Sequence, residues 1–132
     1  MSTKRSKKPG ANSATEKPGS GKAERYIQPS ILLALKANPS YGYELIQGIC
    51  KFGFVEGQAP PGMIYRHLRD LEENGLVSSE WKTDGTGPAK RMYQLTPEGE
   101  KILEYWIAYM KNQAEKLLDF VRMYESPAQE RS

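Results

Sequence analysis

Cysteine and histidine are almost missing from this chain. Among its 132 residues there is one cysteine, Cys50, and one histidine, His67. A single thiol excludes an internal disulfide framework and a cysteine-rich zinc site. A single imidazole excludes the His-Glu-x-x-His arrangement and argues against most metal or histidine-based catalytic constellations. Long apolar runs are missing too: mean hydropathy is -0.69, and nothing approaches the roughly 20 apolar residues of a membrane-spanning helix. The basic opening, Met1 to Lys8, has no apolar stretch behind it, so no secretory signal is expected. No glycine-rich phosphate loop and no nucleophile motif is found. These absences point to a reduced, cytoplasmic, non-catalytic protein with no cofactor, no metal and no membrane association. Cys50 follows Ile49 on a helical pattern and reads as a small packed hydrophobe.

Charge is present but unevenly placed. The chain holds 19 Lys and Arg against 16 Asp and Glu, a net of +3. Residues 1–25 contribute Lys4, Arg5, Lys7, Lys8, Lys17, Lys22 and Arg25 against Glu16 and Glu24, so the remainder is net acidic. Residues 1–24 are also rich in Gly, Ser, Pro and Lys and poor in apolar side chains. Such a segment cannot offset its ordering entropy by burial and is expected to be disordered. It reads either as a solubilising leader or as a basic arm that holds phosphates without sequence preference.

From residue 25 the pattern becomes helical. A first helix begins near Gln28-Pro29, is apolar on most sides (Ile31, Leu32, Leu33, Leu35), and ends at Asn38, which Pro39 pushes out of the α region. Ser40 is the expected N-cap of a second helix whose Leu45, Ile46 and Ile49 share a face, with Gly53 ending it. Pro60-Pro61-Gly62 opens a third helix with Ile64, Leu68 and Leu71 on one stripe, and Gly75 is its left-handed stop. The period then changes to 2. Leu76–Lys82 and Lys90–Leu95 read as strands joined by Thr83-Asp84-Gly85-Thr86-Gly87-Pro88, a hairpin with an exposed tip. Thr96-Pro97-Glu98 opens a last helix with a cap, a proline at N1 and an acid in the first turn.

That last helix, 97–125, sustains a heptad. Leu103, Met110, Leu117 and Tyr124 fall at a, and Trp106, Gln113 and Phe120 at d, with Val121 among the residues that widen the stripe. A helix of this length exceeds what so small a body can cover. A second copy of the chain is the simplest cover, with Leu103, Trp106, Met110, Leu117, Phe120, Val121 and Tyr124 as the interface. Gln113 at a core position would set register. Trp106 reads either as a dimer-core anchor or, with Trp81, as part of an effector pocket.

Helix, helix, helix, strand, strand is the order of a winged helix-turn-helix, mostly α with a small β-hairpin, plus a long C-terminal dimerisation helix. The expected organisation is a tail at 1–24, the winged body at 25–96, the dimerisation helix at 97–125 and a short tail at 126–132. In the third helix, at 100° per residue, Arg66 lies about 190° from the centre of the core stripe, facing outward. The first turns of such a helix meet base edges in the major groove, and an arginine fork matches guanine O6 and N7. Gly62, which allows close backbone approach, Arg69 and Asp70 flank Arg66, with Met63 further round. Lys90 and Arg91 lie beside the wing tip, where phosphate or minor-groove contacts are expected. His67 falls about 70° from the core centre by the same count and reads as a packed flank residue. The bland alternative is that Arg66 and Arg69 are ordinary salt-bridge partners of Asp70, Glu72 and Glu73 on a solvated face, since charges over 60–96 balance.

The stretch from Ile31 to Trp106 resembles the PadR family of bacterial transcriptional regulators. The resemblance is carried by Tyr41-Gly42-Tyr43-Glu44-Leu45, by Ile64-Tyr65-Arg66 with Leu68, and by Leu71-Glu72 followed by Asn74-Gly75-Leu76-Val77. Gly87-Pro88-Ala89-Lys90-Arg91, Tyr93 and Leu95-Thr96-Pro97-Glu98-Gly99 complete it. Within the family, Lys51-Phe52-Gly53-Phe54 and the wing look most like the poly-β-hydroxybutyrate-responsive repressors. The resemblance implies a homodimeric repressor on a palindromic double-stranded operator, released by an effector, small molecule or polymer. It implies that Tyr41, Tyr43 and Tyr65 contact the DNA backbone or anchor helices, and that Lys90 and Arg91 are the basic pair of the wing. Ser40, Tyr41, Tyr43, Gly62, Met63, Tyr65, Arg66, Arg69, Lys90 and Arg91 are the candidate DNA contacts. Two other functions fit the same residues: a winged-helix protein-interaction module without sequence-specific DNA binding, and a regulator associated with polyhydroxyalkanoate storage granules.

Overall fold

A computed structural model describes residues 24–126 apart from 56, 58 and 84. The basic leader to residue 23 and the end of the chain from 127 lie outside the described residues. Helix α1 (Ile27–Ala37) is followed by a two-residue strand β1 (Ser40–Tyr41), helix α2 (Gly42–Gly48) with a 3-10 continuation at Ile49–Phe52, and helix α3 (Pro61–Glu73). Strands β2 (Val77–Lys82) and β3 (Lys90–Leu95) and the long helix α4 (Pro97–Glu125) complete the chain. This is a winged helix, with α2 and α3 as the helix-turn-helix pair and β2–β3 as the wing.

The core explains the elements. Helix α1 buries Ile27, Ile31, Leu32 and Leu35, and its one buried hydroxyl is satisfied, Ser30 Oγ donating to the Tyr26 carbonyl at 2.7 Å. Around it close Leu45, Ile46 and Ile49 from α2 and its continuation, the expected stripe Ile64, Leu68 and Leu71 from α3, then Val77, Tyr93 and Leu103. The stop of α3 takes the form its sequence suggests. Gly75 adopts φ 77°, the Leu76 N–H returns to the Leu71 carbonyl at 2.9 Å, and the Gly75 N–H to that of Glu72 at 3.0 Å, the paired bonds of a Schellman motif. At the start of α4 the Thr96 hydroxyl accepts from the Gly99 N–H at 2.9 Å, as its cap position requires.

Four expectations need correction. Ser40 does not cap α2; it lies in β1, pairs with Tyr93 and donates to the Asn38 carbonyl at 3.1 Å, while Tyr41 takes the cap position with its N–H on Glu44 Oε1 at 2.8 Å. The hairpin is therefore part of a three-stranded antiparallel sheet, order β1-β3-β2. Leu103, expected to face a partner, is 3% exposed and belongs to the chain's own core. Trp106 is also engaged within the chain: it packs against that core and meets Tyr26 edge-on at 6.3 Å and Tyr109 at 6.0 Å. The fourth concerns the two tryptophans, which line separate concavities rather than one effector pocket. Helix α4 is thus anchored along its first part, with Lys36 of α1 ion-paired to Glu100. Further along, Ile107, Leu117, Leu118, Phe120, Val121, Met123 and Tyr124 are exposed.

Candidate nucleic-acid interface

Helix α3 presents its outer face beside the wing. With Ile64, Leu68 and Leu71 inward, the outer side carries Gly62, Tyr65, Arg66 and Arg69, all exposed. A Cβ built on Gly62 meets nothing within 4 Å, so the first turn of α3 is bare backbone open to an approaching molecule. Met63 departs from the expectation, since it is half-buried against the core.

Tyr65 and Arg69 of α3 share a concavity of about 400 Å³ with Arg91 and Tyr93 of β3, so helix and wing line one continuous depression. A second, of about 340 Å³, runs from Tyr65 over Tyr41 and Tyr43 to Trp81 and Lys90. Gly42 makes their meeting possible: a Cβ there would lie 2.5 Å from the Tyr65 ring. Tyr65 is therefore both an anchor on the start of α2 and, at 42% exposure, an accessible side chain. Tyr93 is buried behind it, and that burial pushes its phenol above the ordinary value of 10.0.

Cross-strand register places the wing's cations. Trp81 lies opposite Arg91, and the guanidinium stacks 5.2 Å from the indole. The same Arg91 donates through Nε to Ser79 Oγ at 2.9 Å, and Ser79 Oγ donates to Glu72 Oε2 at 2.8 Å. This network ties the wing to the end of α3. Lys90 sits over the rings of Tyr41 at 5.8 Å and Tyr43 at 5.3 Å, which are stacked on each other. Lys90 and Arg91 are thus held on aromatic faces and still exposed, so they can offer charge with part of their freedom already removed.

Arg66 has an acidic partner, but not one of the acids of its own helix. Glu24 Oε2 accepts from Arg66 Nη2 and from His67 Nε2, the latter at 2.9 Å. Those hydrogen bonds hold the Glu24 carboxyl below its usual 4.5, the Arg66 contact acting most strongly and partial burial opposing it. The expectation of a disordered leader fails at its last residue, because Glu24 is bound to Arg66 and His67 of α3. His67, expected on the flank, is only 13% exposed in its side chain, and its Nδ1 receives the Gln28 amide at 3.1 Å. Sequence reasoning missed Glu24 and Ser79, and placed Glu72 with the arginines of its own helix rather than with Ser79 and Arg91. The pairing of Trp81 with Arg91 follows once the hairpin register is fixed, whereas nothing local marks Glu24. Among the described residues no cluster of His, Cys, Asp or Glu is arranged to hold a metal ion, and no helix is long and apolar enough to cross a membrane. Cys50 is half-buried, its thiol donating to the Gly57 carbonyl at 2.8 Å.

Solved structures share this fold. A transcriptional regulator from Clostridium thermocellum superposes with TM-score 0.68 at 25% identity over 77% of this chain and 96% of its own. A PadR-like transcription factor from Bacteroides fragilis gives 0.63 at 27% identity over 76% and 95%. PadR of Bacillus subtilis, solved in complex with operator DNA, gives 0.56 at 27% identity over 63% of this chain and 47% of that one. Among curated protein sequences none matches. The model of the transcriptional regulator PadR-like family matches residues 31–105. With more than half of its length inside that match and the winged helix built as described, the chain belongs to the PadR-like family of transcriptional regulators.

Proposed function

We propose that the protein is a homodimeric, sequence-specific DNA-binding regulator, acting as a repressor that an effector releases from a palindromic operator. The observation that carries this reading is the juxtaposition of the open first turns of α3 with the basic wing strand. Gly62 and Arg66 are exposed at one end, and Arg69 and Arg91, with Glu72 and Glu73 beside them, line the depression between helix and wing. A helix presented in this way enters the major groove while the wing holds backbone. The operator complex of the Bacillus subtilis relative supports the same assignment.

The dimer rests on α4. Its second half exposes Leu117, Phe120, Val121 and Tyr124 at 68%, 73%, 46% and 88%, a stripe that a soluble monomer rarely leaves open. Met110 is half-buried at the boundary between the part of α4 docked on the body and the part that projects. An effector, small molecule or polymer of the polyhydroxybutyrate kind, would act by changing how the two recognition helices are spaced.

Binding of the full chain to a randomised duplex library at graded salt, with sedimentation on the same sample, tests this reading. A dimer with a steep salt slope and a selected two-fold sequence is expected. A chain that binds no duplex at low salt is instead a protein-interaction module.

A further inference from the structure

His67 and Glu24 have no part in the function argued so far, yet they form a continuous chain into it. Gln28 on α1 donates its amide to His67 Nδ1 at 3.1 Å, leaving the ring proton on Nε2, 2.9 Å from Glu24 Oε2. The same carboxylate oxygen accepts from Arg66 Nη2. His67 is nearly enclosed, whereas Arg66 and Glu24 are about half exposed in their side chains, at 51% and 46%. The fixed member is therefore the histidine, the carboxylate hangs from it, and the arginine hangs from the carboxylate.

We propose that His67 and Glu24 are positioning residues for Arg66, holding its guanidinium toward the groove before DNA arrives; this rests on the reading of α3 as the base-reading helix. The geometry separates positioning from blocking. The ion pair runs through one nitrogen of a group that has five N–H donors. A fork that had surrendered both terminal nitrogens to a carboxylate would have to be released before it could meet guanine O6 and N7. Among the described residues it is held by Nη2 alone, which leaves donors that can meet a base while Glu24 keeps its bond. The gain is preorganisation: a long side chain that is already placed loses less freedom when it binds. The spacing suits the task, because Arg66 and His67 are adjacent on α3 and one oxygen reaches both.

Electrostatics and positioning act on different readouts, absolute affinity and base preference, which makes the test decisive. Removing a carboxylate beside phosphates should, by charge alone, tighten every complex. Removing a positioning group should instead lose the base preference. The wild-type chain first selects duplexes from a random library. Wild type, Glu24→Ala, Arg66→Ala and the double variant are then measured on the selected duplex and on random duplex of equal length. We expect Arg66→Ala to relax one base pair per half-site. Glu24→Ala should relax the same base pair and reduce the ratio of selected to random affinity about tenfold. In the Arg66→Ala background, Glu24→Ala should change that ratio less than about twofold. Tighter binding by Glu24→Ala with the base preference intact would overturn the inference and make Glu24 a competitor for Arg66. An unchanged profile would overturn it as well. If Arg66→Ala itself leaves the profile unchanged, the reading of α3 has failed and the inference falls with it; if Arg66→Ala relaxes a base pair and Glu24→Ala does not, the inference alone has failed.

Discussion

The cations of this surface are held by different kinds of partner, and their loss should read out differently. Arg66 is paired with a carboxylate at the open start of α3, and Lys90 lies over two tyrosine rings beside the wing. Arg66→Ala should cost about 1–3 kcal/mol on a selected duplex and relax one base pair per half-site, the relaxed pair recurring symmetrically about a helical turn apart. Lys90→Ala should weaken selected and random duplex alike, because phosphate contacts carry no sequence. Repeating the site selection with each variant checks both. Glu24 adds a pH dependence to stability. Its folded-state value is lowered below 4.5, so the stabilisation is fully present above that ordinary value and is lost as pH falls through the folded one. Denaturant titrations between about pH 3 and pH 6 should show a slope that Glu24→Gln flattens. None of this was legible at Glu24. Its partners stand 42 and 43 residues away, and a lone acid at the edge of a basic, glycine-rich segment has no periodicity to betray a tertiary contact. Arg66 was legible, because a stripe of three apolar residues fixes the opposite face of a helix.

Elements were legible wherever the residues that decide them are local. The proline after Asn38, the Asn74-Gly75 stop and the Thr96 cap all fall where short-range chemistry put them. Strand β1 was missed because two residues have no period of their own; pairing with β3 alone makes Ser40 and Tyr41 a strand. Leu103 was misread for a related reason. A heptad shows which face of a helix is apolar but not which chain covers it, and here the chain's own core takes Leu103. The seam between wing and α4 allows a sharp test. A Cβ on Gly99 would stand 2.0 Å from the Leu76 carbonyl oxygen, a backbone atom that cannot step aside. Gly99→Ala should therefore destabilise by about 3 kcal/mol, seen as a lower urea midpoint, with α4 shifted on its seat. Further along the helix, Leu117→Asp with Phe120→Asp should convert a micromolar dimer to monomer in sedimentation while leaving the fold intact, because both side chains are exposed in the single chain. A stable wild-type monomer would remove the basis for the dimer.

At the scale of the whole molecule, the basic leader joins the body at Glu24, which is bound to α3 itself. Deleting residues 1–23 should weaken selected and random duplex equally and flatten the salt slope, with the base preference kept. An unchanged slope would make the leader idle in binding. The winged fold and its family were legible because they are written in short motifs along the chain. Which residues of the apolar face of α4 the chain itself covers was not, since that depends on where α4 leaves the body. That departure also has a mechanical consequence. Helix α4 is one unbroken rod of 29 residues, about 43 Å long at 1.5 Å per residue. Its root is wedged under Leu76 at Gly99 and bolted to α1 through Lys36 and Glu100. A rod clamped at one end works as a lever: a tilt of about 5° at the root sweeps the far tip through about 4 Å. In the proposed dimer, with two such levers joined along their free arms, a ligand wedged beside Trp106 would swing the two α3 helices out of step with successive turns of the double helix.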